Sequence, residues 1–267
     1  MWQFKMYKRS QDLLQKYFAL LQTLLNGFWL GVLSSDSLHK IDEMYYENSS
    51  MYYSADYNRR GLQKWEQAMI ENYFQDCRRL LLLGAGGGRE IYGLQKFGCA
   101  IEAFECNPKL LDFGNKFLRE EGLNAQIKPV QRDACPASRQ KYDGAIIGWG
   151  AYMLIQGRKR RIGFLRSIGA QLEAGAPLLL SFFTRNGDSR KFKATASVGN
   201  VFRFFLRRER LQTGDSLEPN YVHYFTENEL KNELNEAGFK LLYYSSKNYG
   251  HAVAQSKNEK ALSGFNL

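Results

Sequence analysis

Leu80-Leu81-Leu82-Leu83-Gly84-Ala85-Gly86-Gly87-Gly88-Arg89-Glu90 is the stretch on which the reading of this chain turns. Four consecutive leucines predict a strand buried on both faces, the pattern of a parallel strand covered by helices. The glycines that follow permit left-handed backbone and a close approach of main chain to a ligand. A helical pattern begins at Arg89, so free N–H groups stand beside them. A nucleotide-type cofactor is the first expectation. The dinucleotide fingerprint G-x-G-x-x-G would need glycine at position 89, where this chain has arginine. The spacing is G-x-G-x-G instead.

The next strands carry matching signals. Ile101-Glu102-Ala103-Phe104-Glu105 predicts a strand ending in an acid about 20 residues past the first glycine, where Rossmann-like folds set a carboxylate on ribose hydroxyls. Val130-Gln131-Arg132-Asp133-Ala134 ends a third strand in a second acid, and Tyr142 to Trp149 reads as a fourth. On these residues the chain resembles the class I S-adenosylmethionine-dependent methyltransferases of small-molecule type, over roughly residues 55–183 and less fully over 223–254. The resemblance implies an α/β architecture: a Rossmann-like, doubly wound, mostly parallel seven-stranded sheet with an antiparallel last strand, a helical N-terminal cap and an insertion after the fifth strand. It implies S-adenosylmethionine (SAM) as cofactor, held at Gly84, Ala85, Gly86 and Gly88, with Glu105 on the ribose and Asp133 on the adenine amino group. Cys106, Ala134 and Gly148 complete that expected crevice.

Composition bounds the rest. With 267 residues, 44% hydrophobic and 14% aromatic, the chain can bury a full core. Its four cysteines form no C-x-x-C pair and have no histidine companions at zinc spacing. Reduced thiols and a cytoplasmic location are expected. The net charge of +10 admits nucleic acid, an anionic membrane surface or acidic small substrates, and does not choose among them.

Taken in order, residues 1–60 are expected to form a helical cap or lid, 61–183 the cofactor-binding core, 184–222 a substrate-covering insertion, 223–255 the end of the core sheet, and 256–267 a polar tail. Leu13, Leu14, Tyr17, Phe18, Leu21, Leu24, Leu25 and Phe28 recur at steps of three and four, a helical period. A cationic start before an apolar run suggests a leader or an anchor, but interspersed Gln and Lys break it below the uninterrupted length of about 18 that a span needs. A packed or surface-lying amphipathic helix is expected, with peripheral membrane contact left open. In methyltransferases of this kind the segment before the glycine loop folds over cofactor and substrate, and aromatic faces attract a sulfonium. Tyr57 and Arg59 are therefore expected on the cofactor and Tyr53 on the substrate. Strands are predicted near 79–84, 100–105, 125–131, 143–148, 176–183, 240–245 and 249–254. Pro129 suits an edge strand. Val201 to Arg208 is read as a helix of mixed aromatic and basic faces, and Thr226 with Glu229 as a capping box.

Methyl transfer from a sulfonium chiefly needs alignment of acceptor, methyl and sulfur, and a base only where the acceptor must lose a proton. His223, just before the capped helix, is the expected catalytic base. Trp149 and Tyr152 are expected as substrate-pocket walls, and His39 and His251 as structural. There is no Asn/Asp-Pro-Pro-Tyr/Phe sequence, no cysteine in the fourth-strand motif and no Asp-Asp-Asn set, which points to metal-free chemistry on a small acidic or aromatic metabolite, at O or N. RNA methylation, a catalytically silent partner subunit and a lipidic acceptor are the alternatives; oligomeric state is not readable.

Overall fold

The computed structural model describes residues 1–187 and 189–257. Beyond Lys257 the expected polar tail lies outside the described residues. Helix α1 (Trp2–Val32) and helix α2 (Ser35–Asn48) are separated by a turn of 118°. Extended backbone at Leu33 and Ser34 breaks the helical run, and the Ser34 hydroxyl accepts from the Ser37 N–H to start α2. A 3-10 turn (Ser50–Tyr53) follows, then α3 (Ala55–Arg59), capped by Ser54, and α4 (Lys64–Tyr73). This is the expected helical cap.

The core alternates strand and helix: β1 (Arg79–Leu83), α5 (Arg89–Leu94), β2 (Ala100–Glu105), α6 (Pro108–Glu120), β3 (Ile127–Pro129), β4 (Gly144–Ile147), α7 (Arg158–Gln171) and β5 (Pro177–Thr184). The insertion supplies α8 (Arg190–Phe205) and a hairpin of β6 (Asp215–Leu217) and β7 (Tyr221–Phe225); α9 (Glu227–Glu236), β8 (Phe239–Ser245) and β9 (Gly250–Ser256) close the chain. Strands β3-β2-β1-β4-β5 run parallel in that order, with β9 antiparallel to β5 and β8 antiparallel to β9. Pro129 ends β3 at the sheet edge, where a missing N–H costs no ladder bond.

Alternate leucines of β1 feed the two layers. Leu81 and Leu83 pack with Phe164, Leu165 and Ile168 of α7 and Leu230 and Leu234 of α9. Leu80 and Leu82 pack with Met69 and Ile70 of α4, Ile91 of α5 and Phe117 of α6. Two departures from expectation stand out. Among the described residues the sheet has nine strands, the expected seven and two more, because β7 continues alongside the last two residues of β5, Phe183 and Thr184, and carries β6 with it. A boundary at residue 223 therefore cuts through β7. Helix α8 is also longer than the eight residues expected, beginning at Arg190 under the Ser189 hydroxyl.

Beneath the insertion lies a buried ion pair. Arg161 of α7, fully buried, meets Glu233 of α9 at 2.7 Å, and the Tyr152 hydroxyl donates to the same carboxylate at 2.6 Å. Gln212, ahead of β6, accepts from Arg161 at 2.9 Å. Three of the four residues of the basic run Arg158-Lys159-Arg160-Arg161 are thus engaged in holding α7 to its neighbours, since Arg158 also pairs with Glu236 and Arg160 donates to the Ser35 hydroxyl of α2.

Candidate functional site

A cavity of about 290 Å³ opens at the carboxyl ends of β1, β2 and β4, with the loop after β3 as one wall and α2, α3 and the 3-10 turn above it. Its floor is the glycine loop. The N–H groups of Gly84 and Ala85 both donate to the Phe104 carbonyl, which pins the loop to the end of β2. Gly86 has φ +53 and open space where a Cβ would stand; at Gly87 a Cβ would meet the Tyr52 carbonyl oxygen at 2.7 Å. Glycine is thus required for two different reasons, conformation at one position and closeness of the lid at the next.

Glu105, at the tip of β2, is buried. One carboxylate oxygen accepts from the Gly86 N–H and the other from Cys106 and Asn107, all at 2.8 Å. Burial pushes its carboxyl above the usual range, with these N–H bonds acting the other way. Across the floor, Asp133 follows β3 in left-handed backbone (φ +57), and burial raises its carboxyl while Arg132 opposes the shift. Arg89, which broke the dinucleotide fingerprint, is buried and fastened to Glu66 and Glu90 at 2.6 Å and to the Gly61 carbonyl at 2.8 Å. It ties α4 to α5 under the loop.

The roof is aromatic. Tyr46 and Tyr52 lie 5.2 Å apart by ring centroid, and Tyr52 meets Tyr57 edge-on at 5.9 Å. Burial pushes all three phenols up, so the rings stay neutral. At the far wall Asp42 of α2 accepts from Arg132 and from Asn220 in the β6–β7 turn. His39, one turn earlier on α2, is driven down to about 4 by burial and then by the charges of Arg132 and Arg160, leaving a neutral imidazole. Three buried polar atoms without a partner belong to residues of this cavity: His39 Nε2, Arg132 Nε and Trp149 Nε1. Buried polar groups in folded proteins are ordinarily satisfied, so an orphan on a cavity wall marks where a ligand's polar atom is wanted. Among the described residues no group of three or more His, Cys, Asp or Glu could hold a metal ion.

Of the residues singled out from sequence, Gly84, Ala85, Gly86, Glu105, Cys106, Asp133, Ala134, Tyr57 and Trp149 line the cavity. Others do not. Gly88 starts α5 behind the loop (φ +94), and Gly148 sits where β4 crosses the loop, a Cβ there standing 2.1 Å from the Gly84 carbonyl oxygen. Arg59 points outward to Glu121 and Asp56. Tyr53 packs edge-on against Phe113, centroids 5.6 Å apart, and Tyr152 is wholly buried with its hydroxyl on Glu233.

His223 requires a correction. It lies on β7 directly opposite Asp215 of β6, is 1% exposed, and has Nδ1 2.7 Å from the Asp215 carboxylate. It is not part of the cavity wall and serves the hairpin. Burial works against the Asp215 charge, but the bonds from His223 and the nearby Arg161 hold its carboxyl below the usual range. The sequence signal was available in the pairing: two residues flanking Glu218-Pro219-Asn220 fall opposite one another once that turn is read as a hairpin. His39, by contrast, was expected to be structural and stands in the cavity; Tyr46, Tyr52 and Arg132 join it there.

No protein-family profile matches the chain. No curated protein matches it in sequence. Solved structures do match. A SAM-dependent methyltransferase from Methanosarcina mazei superposes with a TM-score of 0.59 at 21% identity, covering 74% of this chain and all of that one. A SAM-bound amino pentose methyltransferase of calicheamicin biosynthesis from Micromonospora echinaspora gives 0.54 at 14% identity, over 77% and 96% of the two chains. An O-methyltransferase of neocarzinostatin biosynthesis, solved with S-adenosyl-L-homocysteine and 1,4-dihydroxy-2-naphthoic acid, gives 0.52 at 12% identity, over 73% and 53%. At these identities the likeness establishes the architecture: the chain has the Rossmann-like fold of the SAM-dependent methyltransferases.

Proposed function

We propose that the protein is a SAM-dependent methyltransferase that modifies an O or N atom of a small, oxygen-bearing acceptor held under the α2–α3 lid. One observation carries the reading: a crevice of the nucleotide-binding kind, floored by Gly86 and edged by Glu105 and Asp133, is continuous with a roofed compartment holding three unpartnered polar atoms. The pattern of floor residues fits SAM, with Glu105 and Asp133 available to ribose and adenine and the rings of Tyr46, Tyr52 and Tyr57 available to a cation. When bound, SAM supplies an electrophilic methyl group and a neutral leaving group.

The chain's own part is placement. Arg132 Nε and Trp149 Nε1 are donors for acceptor oxygens, and the neutral His39 Nε2 is placed to hold or take a hydroxyl proton. A lid that keeps water out strengthens each of these contacts. An acidic or phenolic acceptor suits the donors, and a hydroxylated naphthoic acid accompanies one of the structural neighbours. RNA suits the roofed compartment less well, because the insertion's basic residues partly serve internal pairs such as Lys191 with Glu218 and Arg185 with Glu229. Titration calorimetry with SAM tests the reading. Binding is expected, weakened in Asp133→Ala, and metabolite pools incubated with protein and SAM should contain a species heavier by one methyl. Absence of any heat with SAM or its demethylated product would overturn it in favour of a catalytically silent subunit.

A further inference from the structure

Helix α1 turns its apolar side away from the protein. It meets α8 through Thr23, Asn26, Gly27, Leu30 and Gly31, which are buried. A Cβ on Gly27 would stand 2.7 Å from the Thr195 carbonyl oxygen, and one on Gly31 2.8 Å from that of Gly199, so the two backbones are as close as glycine allows. Thr23 lies beside Thr195, Gly27 beside Val198 and Gly31 beside Phe202; the helices therefore run side by side in one direction. At about 100° per residue, Leu14, Leu21 and Leu25 fall on a different side of α1 from the glycines, whereas Leu13 and Leu20 share the glycines' side but precede the crossing, whose buried residues begin at Thr23. All of residues 1–22 are exposed, Leu13 by 68% and Phe18 by 57%. At the other end of the pair, where α8 finishes beside the C-terminus of α1, Phe204 and Phe205 are exposed by 79% and 77%.

Monomers ordinarily expose contiguous apolar patches of only roughly a few hundred Å², and a row of exposed apolar residues running the length of a helix calls for a covering phase. We propose that α1, together with the last turn of α8, lies in the surface of an anionic phospholipid bilayer. Charge selects that occupant. Across residues 1–32, Lys5, Lys8, Arg9 and Lys16 stand against the single acid Asp12, and Arg207 and Arg210 follow the exposed phenylalanines. Such cations favour anionic headgroups, whereas a second copy of the same face would bring like charges together. Composition agrees: Trp2, Tyr7, Tyr17 and Trp29 are residues of the lipid–water boundary. Among the described residues no single helix is long and apolar enough to cross a membrane, and only the sharply bent pair of α1 with α2 reaches that length and composition together; a helix with cations beside exposed apolar residues suits the plane of the surface. The glycine crossing, with Leu30 buried and Phe28 edge-on to Phe202, holds α1 to the protein through a few residues near its C-terminus and leaves the rest of its apolar surface in water; packing inside lipid also relies on such small residues.

The test is flotation of the full-length protein with vesicles of phosphatidylcholine alone and of phosphatidylcholine mixed with phosphatidylglycerol. The protein is expected to float with the mixed vesicles and to be released as salt rises. Lys8→Gln with Arg9→Gln should lower partitioning ~30-fold, at roughly fivefold per charge. Leu13→Gln with Leu20→Gln should abolish it while leaving the circular dichroism and SAM-binding heat of the parent, since both side chains are exposed. Protein remaining in the soluble fraction with both vesicle types would overturn the proposal. So would a stable dimer by light scattering that those two leucine substitutions dissociate, which would assign the face to a second copy.

Discussion

Replacing Gly86 by alanine separates the folding role of the glycine loop from its binding role. Gly86 sits at φ +53, and a Cβ built there meets no heavy atom within 4 Å. The only cost to the folded protein is the left-handed backbone, about 1 kcal/mol for an alanine. In a chain of this size that lowers the melting temperature by roughly 3 °C. The open space belongs to the cavity, so the new methyl group stands where a cofactor must press against the loop. Overfilling a close-fitting site costs roughly 1–3 kcal/mol, which is about 5- to 150-fold in Kd. Calorimetric titration with SAM, paired with thermal unfolding by circular dichroism, reads both numbers. Gly148→Ala is the contrast: its methyl group would lie 2.1 Å from the Gly84 carbonyl oxygen and 3.3 Å from that of Leu83, main-chain atoms that cannot swing aside. It should unfold the protein or lower its melting point far more than Gly86→Ala does. A Gly86→Ala protein that binds SAM with the parent's Kd would refute the placement of the cofactor on this loop.

Three further expectations follow from the buried charges. Arg161→Met strands the Glu233 carboxylate in the core and should cost about 3–5 kcal/mol, measured as a shift in urea midpoint; a loss under 1 kcal/mol would mean that water reaches the pair. His39 titrates near 4 in the fold against an ordinary 6.5, so the unfolded chain takes up its proton first as pH falls. Its contribution to stability is complete above about pH 6.5 and lost between there and pH 4; His39→Gln should flatten that segment of the stability curve, and an unchanged slope would place the imidazole in solvent. His223→Asn should lower the melting point through its lost bond to Asp215 yet leave the pH profile of turnover unaltered. A fall in kcat of about a hundredfold or more at parental stability would instead make His223 the base.

The sheet was legible because each of its signals is local and repeated: an apolar run, a glycine break, an acid at the strand tip. Glu105 and Asp133 fall at the cavity for that reason. The roof was harder. Within Met44 to Tyr57 the chain passes from α2 through a 3-10 turn to α3, and each change of period re-aims the tyrosines, so Tyr46 and Tyr52 face inward while Tyr53 packs on Phe113. His39 gave no signal of its own, because its setting is made by burial and then by Arg132 and Arg160, about 90 and 120 residues further along the chain. In α1 the helical period was readable but not the side it would bury, which close backbone approach at Gly27 and Gly31 decides in favour of the small residues.

The Asp42 carboxylate joins stretches of chain that lie 90 and 178 residues away, Arg132 from the wall that also carries Asp133 and Asn220 from the hairpin turn. A latch of this kind has one keeper and two bolts. Any swing of α2 away from the cavity would have to break both of these bonds, so a single carboxylate fastens the lid at once to the wall beside Asp133 and to the hairpin.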